Sequence, residues 1–167
     1  MITATISGSF RKFPQVLKNL LEEFKDNKVN VLSPKSSEIV SSYGGFVSLR
    51  GDPCNLSHLP DSRIAEGIKT IQNSHFYAIK KSKLLWLMIP FGYLGIMGAG
   101  EIGAVIKFNT QMYTLREDWE LCREYLLKNG EEAAAERMRY VGRVGSVGEA
   151  IFNISKVQLH EARPRGI

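Results

Sequence analysis

The 167-residue chain predicts an α/β protein built on a parallel sheet. Three observations carry that reading. Residues 84–89 (LLWLMI) are six consecutive apolar residues closed by Pro90, the length and ending of a strand buried on both faces. A glycine-rich loop follows (Gly92, Gly95, Gly98, Gly100), then an apolar helical run at 102–108 and a second short strand at 111–115. At the N-terminus, strand, helix and strand succeed one another within about thirty residues, which is a βαβ unit with an expected right-handed crossover.

The first strand is read at residues 2–6 (ITATI), short and β-branched. Ser7, Gly8 and Ser9 make a turn, and Pro14 suits a first helical turn. Val16, Leu17, Leu20, Leu21 and Phe24 then recur at helical spacing. Residues 29–32 form the second strand, ended by Ser33 and Pro34. Residues 35–60 hold serines, Gly44-Gly45, Gly51, Asp52 and prolines without a period. They are expected to be a partly ordered flap over the site, with a possible short strand at 46–49. Ile64, Ile68, Ile71, His75 and Ile79 fall on one face of the next helix, which feeds into the central strand. A histidine there is either a satisfied core residue or a site residue. Helices are expected at 118–127 and 131–140. Gly142, Gly145 and Gly148 break the pattern, 149–159 is ambiguous, and 160–167 is expected to be a mobile tail. Residues 1–167 read as one domain, with a core at 1–115 and a helical extension at 116–167.

Composition narrows the classes. Hydrophobic residues at 44% and charged residues at 23% are those of an ordinary globular protein. A net charge of +5 fits a small anionic ligand but is too small to argue nucleic acid. No segment resembles a signal peptide or reaches membrane-spanning length, so a cytoplasmic protein with Cys54 and Cys122 as free thiols is expected. His58, His75 and His160 have no ligand spacing, and neither a metal nor a cofactor is called for. Residues 98–103 (GAGEIG) match the spacing of a dinucleotide fingerprint, but the strand ends eight residues too early and Glu101 would repel a pyrophosphate.

In open α/β sheets ligands bind beyond the carboxyl ends of the strands, so Glu101, read at the start of its helix, lies where a ligand should be. An acidic residue in a first helical turn is also favoured by the helix dipole alone.

Three blocks carry a resemblance. They are residues 6–11 (ISGSFR), residues 74–79 (SHFYAI), and Gly92-Tyr93-Leu94-Gly95 leading to residues 100–104 (GEIGA) and 111–113 (QMY). In order and spacing they resemble the nucleoside 2-deoxyribosyltransferase family and its relatives, the deoxynucleoside 5′-monophosphate N-glycosidases. The resemblance spans residues 2–115. It implies a three-layer, flavodoxin-like fold with a central parallel sheet of four to five strands. It implies Glu101 as the carboxylate nucleophile at the anomeric carbon, meeting the positive charge of an oxocarbenium-like transition state. Attack by a second base then gives transfer, and attack by water gives hydrolysis.

The family usually places an aspartate where His75 stands, so His75, with a pKa near neutrality, is the expected proton donor to the leaving base. Ser7, Gly8, Ser9, Phe10 and Arg11 match the loop that approaches the sugar and its 5′ end. The loop's N–H groups and Arg11 could hold a phosphate. Tyr93 and Phe10 are candidates to stack on the base, and Gly95 lies beside them. Lys83, and residues 95–98 (GIMG), depart from acidic positions in some relatives. The expected partners are a nucleoside or its 5′-monophosphate and further copies of the chain, at least a homodimer, with no nucleic acid and no membrane. The alternative is a non-catalytic nucleotide-binding or sensing module on the same fold.

Overall fold

The computed structural model describes residues 1–161. Five strands form one parallel sheet in the order β2-β1-β5-β6-β7. In chain order these are β1 (Thr3–Gly8), β2 (Asn30–Ser33), β5 (Leu84–Met88), β6 (Gln111–Leu115) and β7 (Val141–Val144). Strands β3 (Ile39–Tyr43) and β4 (Phe46–Leu49) pair antiparallel as a separate hairpin. Helices α1 (Pro14–Asp26) and α6 (Val147–Glu161) cover one face of the large sheet. The other face carries α2 (Ile64–Lys81), α3 (Ile96–Val105), α4 (Arg116–Lys128) and α5 (Glu132–Arg137). This is the three-layer, flavodoxin-like arrangement, with the chain reversing direction across the sheet between β1 and β5.

The central strand explains the layering. Successive side chains of a strand point to opposite faces. Leu84, Trp86 and Met88 enter the core shared with α1 and α6. Leu85, Leu87 and the following Ile89 enter the core shared with α3 and α4. All six are buried, so the run 84–89 cannot tolerate a polar residue on either face. In α1, Pro14 occupies the first turn, and Leu17, Leu20 and Phe24 form the stripe that packs on Trp86, with the Phe24 ring edge-on at 6.0 Å.

Strand β1 runs two residues further than its β-branched sequence suggests, so Ser7 and Gly8 belong to the strand and not to a turn. Ala4 and Ile6 face the α1 core. Thr5 and Ser7, also buried, face the opposite layer, where Thr5 bonds Ser82. Gly8 pairs with Met88, and a Cβ there would lie 2.5 Å from the Met88 carbonyl oxygen. Only glycine lets the two strand ends approach that closely.

Two other sequence expectations are refined. In residues 35–60 the short strand expected at 46–49 is β4, and it pairs with the unexpected β3 in a hairpin turned at Gly44-Gly45 and clasped by the Arg50–Glu38 ion pair. Phe46 and Leu59 pack with Leu56 against Ile64, Ile68 and Ile71 of α2, which ties this segment to the body. Residues 116–161 are not only helical. The segment 141–144 adds the fifth strand, and α6 contributes Val147, Ala150 and Ile154 to the same core as Trp86. The Glu23 carboxylate accepts the Val147 N–H at 3.2 Å, joining α1 to the start of α6. Four residues, of which only Val141 and Val144 are fully buried, carry too little pattern to be read as a strand. Gly142 is needed there because the Tyr113 ring occupies the space a Cβ would take, 2.5 Å away. The expected mobile tail lies, from residue 162 on, outside the described residues.

If α6 is core, Ile154→Ala should destabilise the protein by ~2–5 kcal/mol, as for other buried isoleucines. Urea unfolding followed by circular dichroism measures it. A change within about 0.5 kcal/mol, as for surface positions, would mean that α6 is a peripheral appendage.

Candidate functional site

The carboxyl ends of β1, β2 and β5 open into a cleft of about 560 Å³ at the point where strand order reverses, within the usual range for small-molecule sites. Ser7, Gly8, Ser9, Phe10, Arg11, His75, Tyr93, Gly95 and Glu101 all line it. These residues come from the end of β1 and the loop after it, from the inner face of α2, and from the segment after β5.

Glu101 does not start a helix. Helix α3 begins at Ile96, capped by extended Gly95, so Glu101 sits on its second turn. The dipole of a helix acts chiefly within its first turn, so it does not account for a carboxylate here. Glu101 is instead held by side chains. Ser7 Oγ donates a hydrogen bond to its Oε2. Its Oε1 lies 3.7 Å from His75 Nε2. Both side chains are about 15% exposed, 16% for His75 and 14% for Glu101, so little water screens the pair. Burial pushes the Glu101 carboxyl above its ordinary value, and the Ser7 hydroxyl opposes that rise.

His75 is fixed from the other side. Its Nδ1 lies 2.8 Å from Ser33 Oγ, at the end of β2, and the Phe10 ring meets it edge-on at 6.1 Å. The tautomer protonated at Nε2 satisfies both neighbours, with Nδ1 accepting from Ser33 and Nε2–H directed at Glu101. Burial holds the imidazole down to about 4. This lies well below the near-neutral value expected of a proton donor, so the neutral imidazole is favoured at pH 7.

The loop after β1 also differs from expectation. The Phe10 N–H is engaged by the Gly8 carbonyl, which removes one of the donors expected for a phosphate, and the N–H groups of Lys12 and Phe13 beyond the loop are engaged by the Ser9 carbonyl. Arg11 is exposed at the cleft mouth, its guanidinium beside Gly45 of the hairpin turn. Phe10 meets His75 edge-on and stands half-buried in the cleft lining. The Tyr93 ring lies against Phe13 at 5.9 Å, and Lys12 Nζ sits 3.7 Å over one of its faces.

Sequence reasoning missed several residues that line the cleft. Ser33 had a usable signal, its place at the end of a strand before Pro34. Phe46, Val47 and Asp52 lie in the segment 35–60 expected to cover the site, but without a period nothing singled them out within it, and Gln72 of α2 had no signal of its own. Asp52 Oδ2 accepts the Leu49 N–H at 2.7 Å, and burial raises its carboxyl above the ordinary aspartate value. Among the described residues no three His, Cys, Asp or Glu side chains gather closely enough to hold a metal ion, and no helix is long and apolar enough to cross a membrane. Comparison with protein-family models, with curated proteins and with solved structures finds no match for the chain.

The depressed pKa of His75 makes a stability prediction. Below pH 6.5 the unfolded chain protonates this imidazole and the folded chain does not, so stability falls as pH drops toward about 4. By pH 5 the contribution lost is about 2 kcal/mol. In urea titrations at pH 7 and pH 5, His75→Asn should shrink the difference between the two pH values by that amount. An unchanged difference would mean that the imidazole titrates freely in the folded protein.

Proposed function

We propose that the protein cleaves the N-glycosidic bond of a nucleoside, deoxynucleoside or 5′-monophosphate, by transfer or hydrolysis, with Glu101 as nucleophile. The observation that carries this reading is the Glu101 carboxylate itself. It is buried in a cleft at the strand-order reversal and oriented by the Ser7 hydroxyl.

The chemistry follows from that environment. Breaking a C–N glycosidic bond places positive charge on the sugar ring. In water a carboxylate gains little from such a charge, whereas in a dry cleft the attraction is several-fold larger. Burial that raises the Glu101 pKa is the same effect seen without substrate, an anion lacking a cation. A cationic transition state supplies the missing charge, so stabilisation is greatest at the top of the barrier. Ser7 fixes Oε2, and the neutral His75 N–H faces Oε1. His75 thus acts as a positioning residue that sets the carboxylate's direction, not as the acid. Arg11, at the mouth beside the hairpin turn, favours a ligand with a 5′-phosphate.

A non-catalytic nucleotide-binding module is the second reading, and the neutral state of His75 favours it. The oligomeric reading has its own support. Phe91, directly after the central strand, is 82% exposed and Tyr77 of α2 is 62% exposed, apolar surface that a second copy could cover. A cytoplasmic location suits the two free thiols.

The test is release of free base from a panel of ribo- and deoxynucleosides and their 5′-monophosphates, followed by chromatography. Glu101→Gln keeps the shape and removes the charge. It should lower base release at least ~100-fold, several kcal/mol of barrier, while ligand binding persists. Full activity in Glu101→Gln would remove the nucleophile assignment. Binding without base release by the wild type would establish the second reading.

A further inference from the structure

The proposed reaction needs a proton for the departing base, and the neutral His75 leaves that task unassigned. Five titratable side chains line the cleft: Arg11, Asp52, His75, Tyr93 and Glu101. Arginine keeps its proton in proteins. Glu101 is the nucleophile in the proposed reaction. His75 bonds Ser33 through one nitrogen and faces Glu101 with the other, so its N–H is directed at the nucleophile and not at a leaving group. The Tyr93 ring is 40% exposed and capped by Lys12.

The geometry points to Asp52 as the group that protonates the departing base, an inference that rests on the glycosidic reading above. Asp52 enters the cleft from the hairpin segment, apart from the end of β1 that carries Ser7 and from helix α3 that carries Glu101. It is held rigidly. Its own N–H donates to the Leu49 carbonyl at 3.0 Å while its Oδ2 accepts the Leu49 N–H at 2.7 Å. Oδ1 makes no hydrogen bond among the described residues, and no Lys or Arg pairs with the carboxyl there. The nearest hairpin cation, Arg50, is already paired with Glu38. A half-buried carboxyl without a cationic partner holds its proton more tightly than an ordinary aspartate, the direction wanted of a general acid.

The step balances. The bond between C1′ and the base nitrogen breaks, and its electron pair stays on the base. The Asp52 proton passes to the base as a Glu101 oxygen bonds C1′. Water, or a nitrogen of a second base, then attacks C1′ as the bond between C1′ and the Glu101 oxygen breaks, its electron pair returning to the carboxylate, and the attacking group gives its proton to the Asp52 carboxylate, restoring both side chains. The groups facing Asp52 that could alter its titration are Cys54 in the same segment, Arg11 at the hairpin turn, and Glu101 and His75 within the cleft.

The experiment compares two leaving groups on the full-length protein. One substrate is whichever deoxynucleoside or deoxynucleotide of the panel the wild type cleaves. The other is 4-nitrophenyl 2-deoxyriboside, whose phenolate departs without a proton. Asp52→Asn preserves the Leu49 hydrogen bond, and Asp52→Ser does so in a second way; thermal melts check that both fold. With the natural base, kcat/KM should fall at least ~100-fold, with less than ~10-fold loss on the nitrophenyl sugar. The alkaline limb of the wild-type pH profile should vanish. Glu101→Gln should lose both activities. Equal losses of Asp52→Asn on the two substrates, or no loss, would overturn the assignment while leaving Glu101 intact. A wild type that cleaves neither substrate would overturn the glycosidic reading and this inference with it.

Discussion

The double burial of the central strand is the constraint on which the rest depends. Leu84, Trp86 and Met88 fill one core, and Leu85, Leu87 and Ile89 fill the other. Each fully buried large side chain contributes roughly 1.5–3 kcal/mol, so the strand cannot be moved or shortened cheaply. A strand sealed on both faces can meet a ligand only at its end. The polar side chains that line the cleft, among them Ser7, His75 and Glu101, are accordingly gathered around that end.

The neighbouring strand shows how closely polar groups are rationed. On β1, Ala4 and Ile6 serve the α1 core, while Thr5 and Ser7 face the other layer. Each buried hydroxyl there has a named partner, Ser82 for Thr5 and Glu101 for Ser7. The same economy governs His75, which lies between Ser33 and Glu101. Burial drives the imidazole and the carboxyl toward neutrality in opposite directions on the pH scale. The result is a site that lacks a counter-charge and is suited to a ligand that develops one.

The hairpin supplies what the sheet cannot. Strands have fixed ends, whereas β3 and β4 pack on α2 through Phe46 and the residues around Leu56 and bring Gly45, Val47 and Asp52 to the cleft. This division places the Glu101 carboxylate on the sheet-and-helix core and leaves another part of the cleft lining to a separately packed element. Arg11 and Gly45 meet at the mouth, where loop and hairpin adjoin.

How much of this was legible in the chain depends on how far each signal reaches. The run at 84–89, the stripe Leu17–Leu20–Phe24 and the face Ile64–Ile68–Ile71–His75–Ile79 are local and strong, and they fix the α/β class, the buried strand and the inward direction of His75. The glycines after Pro90 place Glu101 beyond a strand end, although not its position within a helix that starts five residues earlier. Strand β7 stayed hidden because four residues at a sheet edge carry almost no periodicity, and only pairing with β6 makes them a strand. The entry of Asp52 into the cleft, the meeting of Ser33 with His75 and the low pKa of His75 were decided by tertiary structure. They depend on which groups meet across the cleft and how much water is excluded there, quantities set by packing between segments distant in sequence. The sequence determined which strand is sealed on both faces and so open only at its end; the fold decided which side chains meet beyond that end, because packing between distant segments sets their contacts.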